Sequence, residues 1–270
     1  LNILLGYFYN HSRTNTYNKT GAITKAAHSQ AGSPTYGIVY SPTDQLSFYA
    51  SHSESFNMET VVSYKYKNVG EPAAKTKQNE IGVKYLNRDL LTSLSLFDIK
   101  KAGNIEVTDG ANLYQRQAGE DEYKGVEVAF NGKLAPKWNL MGGMMYLDAK
   151  HHKTTKPILE NQRISGASRW NGILALEYEA DDRYTLFGRI LYNGAAIIWD
   201  ADITNQLDIS PYTTLDVGVK YKTTWNKIPV QFNLTCYNVL GKDYWIPKSG
   251  VDTVILGNPR TLTLSAQFTF

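Results

Sequence analysis

The last ten residues, Thr261 to Phe270, alternate in polarity almost without error. Leu262, Leu264, Ala266, Phe268 and Phe270 fall on one face, and Thr261, Thr263, Ser265, Gln267 and Thr269 on the other. A strand repeats every two residues, so this order sets one face in oil and the other in water. An aromatic residue closing the apolar face is what a membrane-spanning β-barrel needs at its lower interface. The same alternation recurs along the whole chain.

Five polar turns divide it: Pro42-Thr43-Asp44, Asn87-Arg88-Asp89, Ala135-Pro136-Lys137, Ala180-Asp181-Asp182 and Thr224-Trp225-Asn226-Lys227. They recur about every 45 residues, each between strands of about ten residues, enough to cross a bilayer at a tilt. Tyr36, Ile38 and Tyr40 enter the first turn, and Leu46, Phe48 and Ala50 leave it. Val126, Val128 and Phe130 enter the third, and Trp138, Leu140 and Met144 leave it. One strand is less regular: Leu94 and Leu96 differ in parity from Phe97 and Ile99, which predicts a bulge. Tyr40, Tyr85, Trp138, Tyr178, Tyr184, Tyr221 and Phe270 lie near the short-turn ends of apolar faces, as an interfacial girdle requires.

Between the hairpins lie polar connections of about 15 to 25 residues, unusually long for a compact soluble domain. They cover approximately 13–33, 56–76, 101–120, 151–167, 195–210 and 239–257. Short turns at one end and long loops at the other predict an all-β, antiparallel, up-and-down transmembrane barrel portion of about twelve strands. A propeller has a similar period but packs four short strands into each repeat. Here each repeat holds two long strands, which excludes it.

Composition agrees. The 270 residues are 42% hydrophobic and 20% charged, and no run approaches a transmembrane helix. A mean hydropathy of −0.36 suits a barrel, whose water-facing residues dilute the lipid-facing ones. A net charge of +3 with scattered Lys and Arg gives no basic stripe for nucleic acid. The single cysteine, Cys236, shares an apolar face with Val230, Phe232 and Leu234 and reads as a small hydrophobe. Leu1 opens no signal peptide, so a membrane reading expects a processed or truncated chain.

Four stretches carry a family resemblance. They are Tyr40-Ser41-Pro42 through Ser51; Asn79-Glu80-Ile81-Gly82-Val83-Lys84 with Leu96-Phe97-Asp98-Ile99-Lys100; Gly119 through Ala149, including Lys124-Gly125-Val126-Glu127 and Tyr146-Leu147-Asp148-Ala149; and Asn238 through Tyr244 with Gly257-Asn258-Pro259-Arg260 to Phe270. In order and spacing they resemble the C-terminal half of the TonB-dependent outer-membrane receptors, in particular the ferric-siderophore branch. The resemblance implies that residues 1–270 are the C-terminal part of such a barrel, with the plug domain, the TonB-contacting box and the first strands absent from the chain. It implies an outer-membrane receptor for ferric siderophores, driven by the TonB system through that plug, with outer-membrane lipid around it. It implies no cofactor, since iron would arrive only inside the bound ferric siderophore. The other readings are a self-contained twelve-stranded outer-membrane enzyme or autotransporter pore, and a passive porin.

The candidate chemistry is sparse. Inward positions Glu80, Lys84, Glu127, Arg189, Asp216, Lys220, Gln231 and Asn233 would line a lumen, and the resemblance would set them against the plug. His151-His152 reads as a surface pair in a loop, since neighbours on a strand point apart and cannot share a metal. Ser51-His52 fails as a nucleophile–base pair for the same reason, so no enzyme is expected. The loop aromatics Tyr64, Tyr66, Tyr114, Trp199, Tyr244 and Trp245 are the binding candidates, because bulky, part-apolar ligands suit aromatic walls. The strand at Ile3, Leu5 and Tyr7 and the strand ending at Phe270 would each lack a neighbour. An open sheet is expected in preference to a strained closure between them.

Overall fold

The computed structural model describes residues 1–57, 67, 74–154, 156–199, 205–248 and 253–270. Nine long strands follow one another: β1 (Asn2–Tyr17), β2 (Ile23–Tyr40), β3 (Leu46–Asn57), β4 (Ala74–Asn87), β5 (Leu90–Asp109), β6 (Asn112–Ala135), β7 (Trp138–His152), β8 (Trp170–Glu179) and β9 (Tyr184–Asn193). A short hairpin, β10 (Ala196–Trp199) with β11 (Gln206–Ile209), precedes β12 (Tyr212–Trp225) and β13 (Ile228–Tyr237). A second, β14 (Trp245–Pro247) with β15 (Val254–Leu256), precedes β16 (Thr261–Phe268). The long strands form one twelve-stranded antiparallel sheet in the order β1 to β9, β12, β13, β16. It is open: β1 and β16 are its two edges, with all of β16 and most of β1 exposed.

Register turns the sequence into a height map. On the outer face, which carries Leu264, one transverse row reads Ala50, Ile81, Leu96, Val126, Tyr146 and Trp170. The row above it reads His52, Asn79, Asp98, Lys124 and Asp148. The face therefore passes from apolar to charged in a single step. At the lower end the cross-strand pairs Trp138–Tyr178, tilted, and Tyr184–Tyr221, stacked, bring their ring centroids to 4.5 and 4.8 Å, and Trp225 reaches Phe268. From Trp138 to Tyr146 the strand rises about 26 Å, or about 20 Å along the normal at a tilt near 40°. That is the scale of an outer-membrane hydrocarbon band.

All five short turns lie at this aromatic end. The Thr269 N–H donates to the Pro229 carbonyl at 3.1 Å, which places the end of the chain beside the β12–β13 turn. That turn is a two-residue connection in which Asn226 (φ 49°) and Lys227 (φ 67°) both take left-handed backbone, the geometry that matches strand twist. In the β8–β9 turn the Asp181 carboxylate accepts the N–H groups of Arg183 and Tyr184 at 2.8 and 2.7 Å.

Three expectations are corrected. No bulge occurs at 94–99: β5 pairs with β4 in unbroken register from Leu90 to Lys101. Phe97 and Ile99 instead face inward, on the same side as the buried Ser95. The connections 13–33 and 101–120 are largely ladder: β1 and β2 continue to a turn at 18–22, and β5 and β6 to one at Gly110. Their upper parts are mostly polar, and their few large apolar residues, such as Val107 and Leu113, fall on opposite faces, so hydrophobic alternation could not reveal them. The strands of the twelve-stranded sheet are accordingly 8 to 24 residues long rather than about ten. Finally, His151 and His152 close strand β7 instead of lying in a loop.

Candidate ligand-binding face

Opposite the short turns, three connections are joined through two small apolar clusters and the hydrogen bonds between them. After a 3-10 turn at Pro157–Leu159, the chain doubles back along β7. The Ile164 N–H donates to the Ala149 carbonyl at 3.0 Å, and the Leu147 N–H to the Arg169 carbonyl at 2.8 Å. Ile164 is fully buried among Ala149, Ala167, Tyr123 and Leu147. The β10–β11 hairpin leans on this segment: the Gly166 N–H donates to the Ile197 carbonyl at 2.7 Å, and the Trp199 indole N–H to the Arg163 carbonyl at 3.4 Å. Val254 of the β14–β15 hairpin then packs on Ala196, Ile198 and Ile209. The Arg163 guanidinium donates to the carbonyls of Ala167 and Ala195. Burial, and after it the charge of Arg169, lowers its pKa from the ordinary value.

Asn238 ties in the last connection. With its backbone in the left-handed region (φ 48°), its side chain donates to the carbonyls of Lys242 and Asn258 at 2.8 and 3.0 Å and accepts the Lys242 N–H at 2.9 Å. Its own N–H donates to Asp216 at 2.8 Å, so this knot is anchored to the inner wall.

The six predicted aromatics divide. Tyr64 and Tyr66 lie outside the described residues. Tyr114 sits apart, in the β5–β6 ribbon opposite Val107. Trp199, Tyr244 and Trp245 belong to the joined connections. Trp199 is half-buried and spends its indole N–H on Arg163, and Tyr244 stacks on Tyr212 with centroids 4.2 Å apart. Trp245 is half-exposed. Tyr212, Arg163 and Asn238 were not anticipated. The cue for Asn238 was faint, an Asn-x-x-Gly end to an alternating strand.

Below this platform the inner face is polar, as its sequence parity predicts. Tyr49 donates its hydroxyl to Glu80, which also accepts from Gln78 at 3.0 Å. Lys220 pairs with Glu177 at 2.5 Å, and Arg189 with Asp216. A motif recurs here: Glu80-Ile81-Gly82-Val83-Lys84-Tyr85 on β4 and Asp216-Val217-Gly218-Val219-Lys220-Tyr221 on β12. The Tyr49 ring covers Gly82 and the Phe187 ring covers Gly218, so closely that a Cβ would overlap them. Each lysine ammonium lies over the same ring, at 5.0 and 5.7 Å from its centroid. Higher on this face, Phe97, Ile99, Tyr123, Met145 and Leu147 line a depression of about 470 Å³ beside Glu80 and Glu127.

Other candidates separate. Ser51 lies opposite Glu80 on the inner face, while the His52 ring stacks on Tyr36 outside. His151 contacts Asp121 at 2.7 Å and His152 contacts Glu122 at 3.1 Å, on opposite faces. Among the described residues no group of three or more His, Cys, Asp or Glu could hold a metal.

Comparison with known proteins matches residues 1–239 to the family model of the TonB dependent receptor-like β-barrel. The chain is 28% identical over 249 residues to the ferrichrome receptor FcuA of Yersinia enterocolitica, covering 88% of this chain and 32% of that one. It is 25% identical over 242 residues to the metal-pseudopaline receptor CntO of Pseudomonas aeruginosa, covering 87% and 33%. The structure of BauA, the ferric preacinetobactin receptor of Acinetobacter baumannii, superposes with a TM-score of 0.81 at 27% identity, over 98% of this chain and 40% of that one. The chain thus spans about a third of the length of these two curated relatives.

Proposed function

The chain belongs to the TonB-dependent receptor β-barrel family of outer-membrane transport receptors, and from that premise we propose that it forms part of an importer of ferric siderophores. The supporting observation is the platform of three joined connections at the end of the sheet opposite the aromatic short turns, open above a polar inner wall. A ligand arriving from outside would meet the exposed ring of Trp245 and the half-buried Trp199 on the platform, and Tyr114 apart from them on the β5–β6 ribbon, before it reaches the wall. Aromatic faces with a few fixed polar groups suit a bulky chelate that is apolar in part and rich in hydrogen-bonding oxygens.

Inward of the platform, Glu80, Lys84, Glu127, Arg189, Asp216, Lys220, Gln231 and Asn233 supply the charges and amides against which a plug domain would rest. That plug, in the part of the relatives this chain does not span, would couple import to the TonB system. The reading is a transporter and not an enzyme, since Ser51 and His52 face opposite sides of the sheet. The test is uptake of radiolabelled ferric siderophores by a strain deleted for the gene. Loss of one chelate's uptake, restored by the gene in trans, supports the proposal; undiminished uptake of every chelate tried counts against it.

A further inference from the structure

Past Leu5 and Tyr36, which stand level with His52 at the top of the apolar band, β1 and β2 run on as a two-stranded ribbon. On its outward face His11 lies directly opposite Gln30, and Arg13 directly opposite His28. The four make a square, with the imidazoles on one diagonal and the amide and guanidinium on the other. The two rings are 6.4 Å apart between centroids, with their planes at 42°. Side chains here lean along that diagonal: the Tyr9 hydroxyl likewise passes its own partner, Gly32, and donates to Gln30 Oε1 at 3.0 Å. The other three histidines are committed, His52 to Asn79, His151 to Asp121 and His152 to Glu122. His11 and His28 are exposed, and among the described residues neither ring makes a hydrogen bond or an ion pair. Two imidazoles in adjacent positions on one divalent ion, at bonds of about 2.0 Å, have centroids roughly 4.5–5.5 Å apart. A small rotation of either exposed side chain closes that difference.

Charge decides what can arrive there. The chain has no Asp or Glu before Asp44, while the ribbon and its turn carry Arg13, Lys19 and Lys25. A bare dication would meet positive charge and only two neutral ligands. The same ion inside a carboxylate chelator is anionic, and its carboxylates suit the Arg13 guanidinium and the free amide N–H groups of Gln30.

We propose that His11 and His28 capture a divalent transition-metal ion, copper foremost, that arrives in an anionic aminocarboxylate chelate with two open positions, while Arg13 and Gln30 hold the chelator's carboxylates. Copper leads because its affinity for nitrogen ligands exceeds that of the neighbouring divalent ions. The step is ligand exchange: two waters leave the metal, two neutral imidazole nitrogens replace them, and no electron moves. The site lies on the ribbon, apart from the platform of joined connections, and takes a different ion from the ferric siderophore, so either reading can fail without the other.

The test uses the complete protein that contains this chain, free of any histidine tag and held in detergent micelles. The probe is Cu(II)–nitrilotriacetate, which is anionic and leaves positions open, followed by equilibrium dialysis and by pulsed electron paramagnetic resonance. The wild type should bind one equivalent, and its copper signal should carry the modulation that imidazole nitrogen imprints. His11→Ala or His28→Ala should weaken binding by about tenfold or more, and Arg13→Gln by about threefold to tenfold. Unchanged heat-modifiable mobility checks that each variant is folded. Cu(II)–EDTA, whose chelator fills the coordination sphere, should not bind; equal binding of it shows attraction of any anion and overturns the proposal. Bound wild-type copper without imidazole modulation overturns it whatever the variants do, as does equal binding by the His11→Ala, His28→Ala double variant. Copper sulfate bound more tightly than the chelate, and as well by Arg13→Gln as by the wild type, shows a bare-ion site and also overturns it.

Discussion

Arg189 donates twice to a single carboxylate oxygen of Asp216, from Nε at 2.9 Å and from Nη2 at 2.6 Å. The other oxygen of Asp216 takes the backbone N–H of Asn238. One carboxylate therefore joins a lumen-facing cation to the knot that holds the final connection. Asp216 is nearly buried, while Arg189 remains almost half-exposed, so the pair is worth less than a fully buried one. Asp216→Asn should cost about 2 kcal/mol in urea titrations of the folded protein in lipid vesicles. It should also speed proteolysis within 239–258; an unchanged cleavage rate there would refute the linkage.

The Asp181 carboxyl is held below its usual range, first by the N–H of Tyr184 and then by that of Arg183. A lowered folded-state pKa gives stability that is complete above the ordinary carboxylate value, about 3.9, and is lost as pH falls through the folded value. Order in the β8–β9 turn should therefore persist through neutral pH and decay only below about pH 4. Amide exchange of Arg183 and Tyr184 reads this directly. Asp181→Ala should remove the pH dependence and leave both amides fast throughout.

Lys227 holds a left-handed backbone that glycine adopts without steric cost. Lys227→Gly should stabilise the β12–β13 hairpin by up to about 1 kcal/mol, offset in part by the freer unfolded chain. A lowered urea midpoint would show that the lysine side chain contributes something the backbone argument omits.

Gly82 and Gly218 lie under the rings of Tyr49 and Phe187. Alanine at either position must push the ring away, at about 1–3 kcal/mol. It should also disturb the neighbouring pair, Tyr49–Glu80 or Lys220–Glu177. Near-ultraviolet spectra resolve the ring movement, and an unaltered spectrum with native stability would contradict the packing described.

Leu264 and Ser265 are adjacent on β16 yet face opposite media. Leu264 continues the apolar row of Leu234, Val219 and Leu186, whereas Ser265 lies opposite Asn233 inside. Leu264→Arg should cost about 2–4 kcal/mol in a bilayer and Ser265→Arg close to nothing. Equal costs would mean that the face carrying Leu264 is not in lipid.

Legibility in the sequence followed the contrast between lipid and water. Where one face meets hydrocarbon, alternation was decisive: Ile81 and Val83, Val126 and Val128, and Leu262 and Leu264 all occupy the outer face as their parity requires. Above the band that contrast disappears, and with it the signal for the upper parts of β1, β2, β5 and β6. Phe97 and Ile99 misled because an inward aromatic looks like a broken outer pattern, although the Phe97 ring lies directly over Gly125. The binding candidates were readable only as residue types. Tyr244 and Trp199 proved committed to Tyr212 and Arg163, contacts between segments distant in sequence that no local pattern encodes.

The joining of the three connections bears on how such a protein can be re-engineered. Ile164, Ala196 and Val254 come from three different connections, and their packing and hydrogen bonds make them one unit. Transplanting the β10–β11 hairpin from another receptor would break its surfaces to both neighbours, and transplanting either neighbour would break one, so they are best exchanged as a set. The β5–β6 ribbon beyond Lys101 is held chiefly by its own ladder and takes an outside bond from the Lys67 N–H to the Leu113 carbonyl at 2.9 Å. It suits a grafted epitope or a foreign recognition hairpin better than the joined connections do, because most of what an exchange there breaks lies within its own ladder.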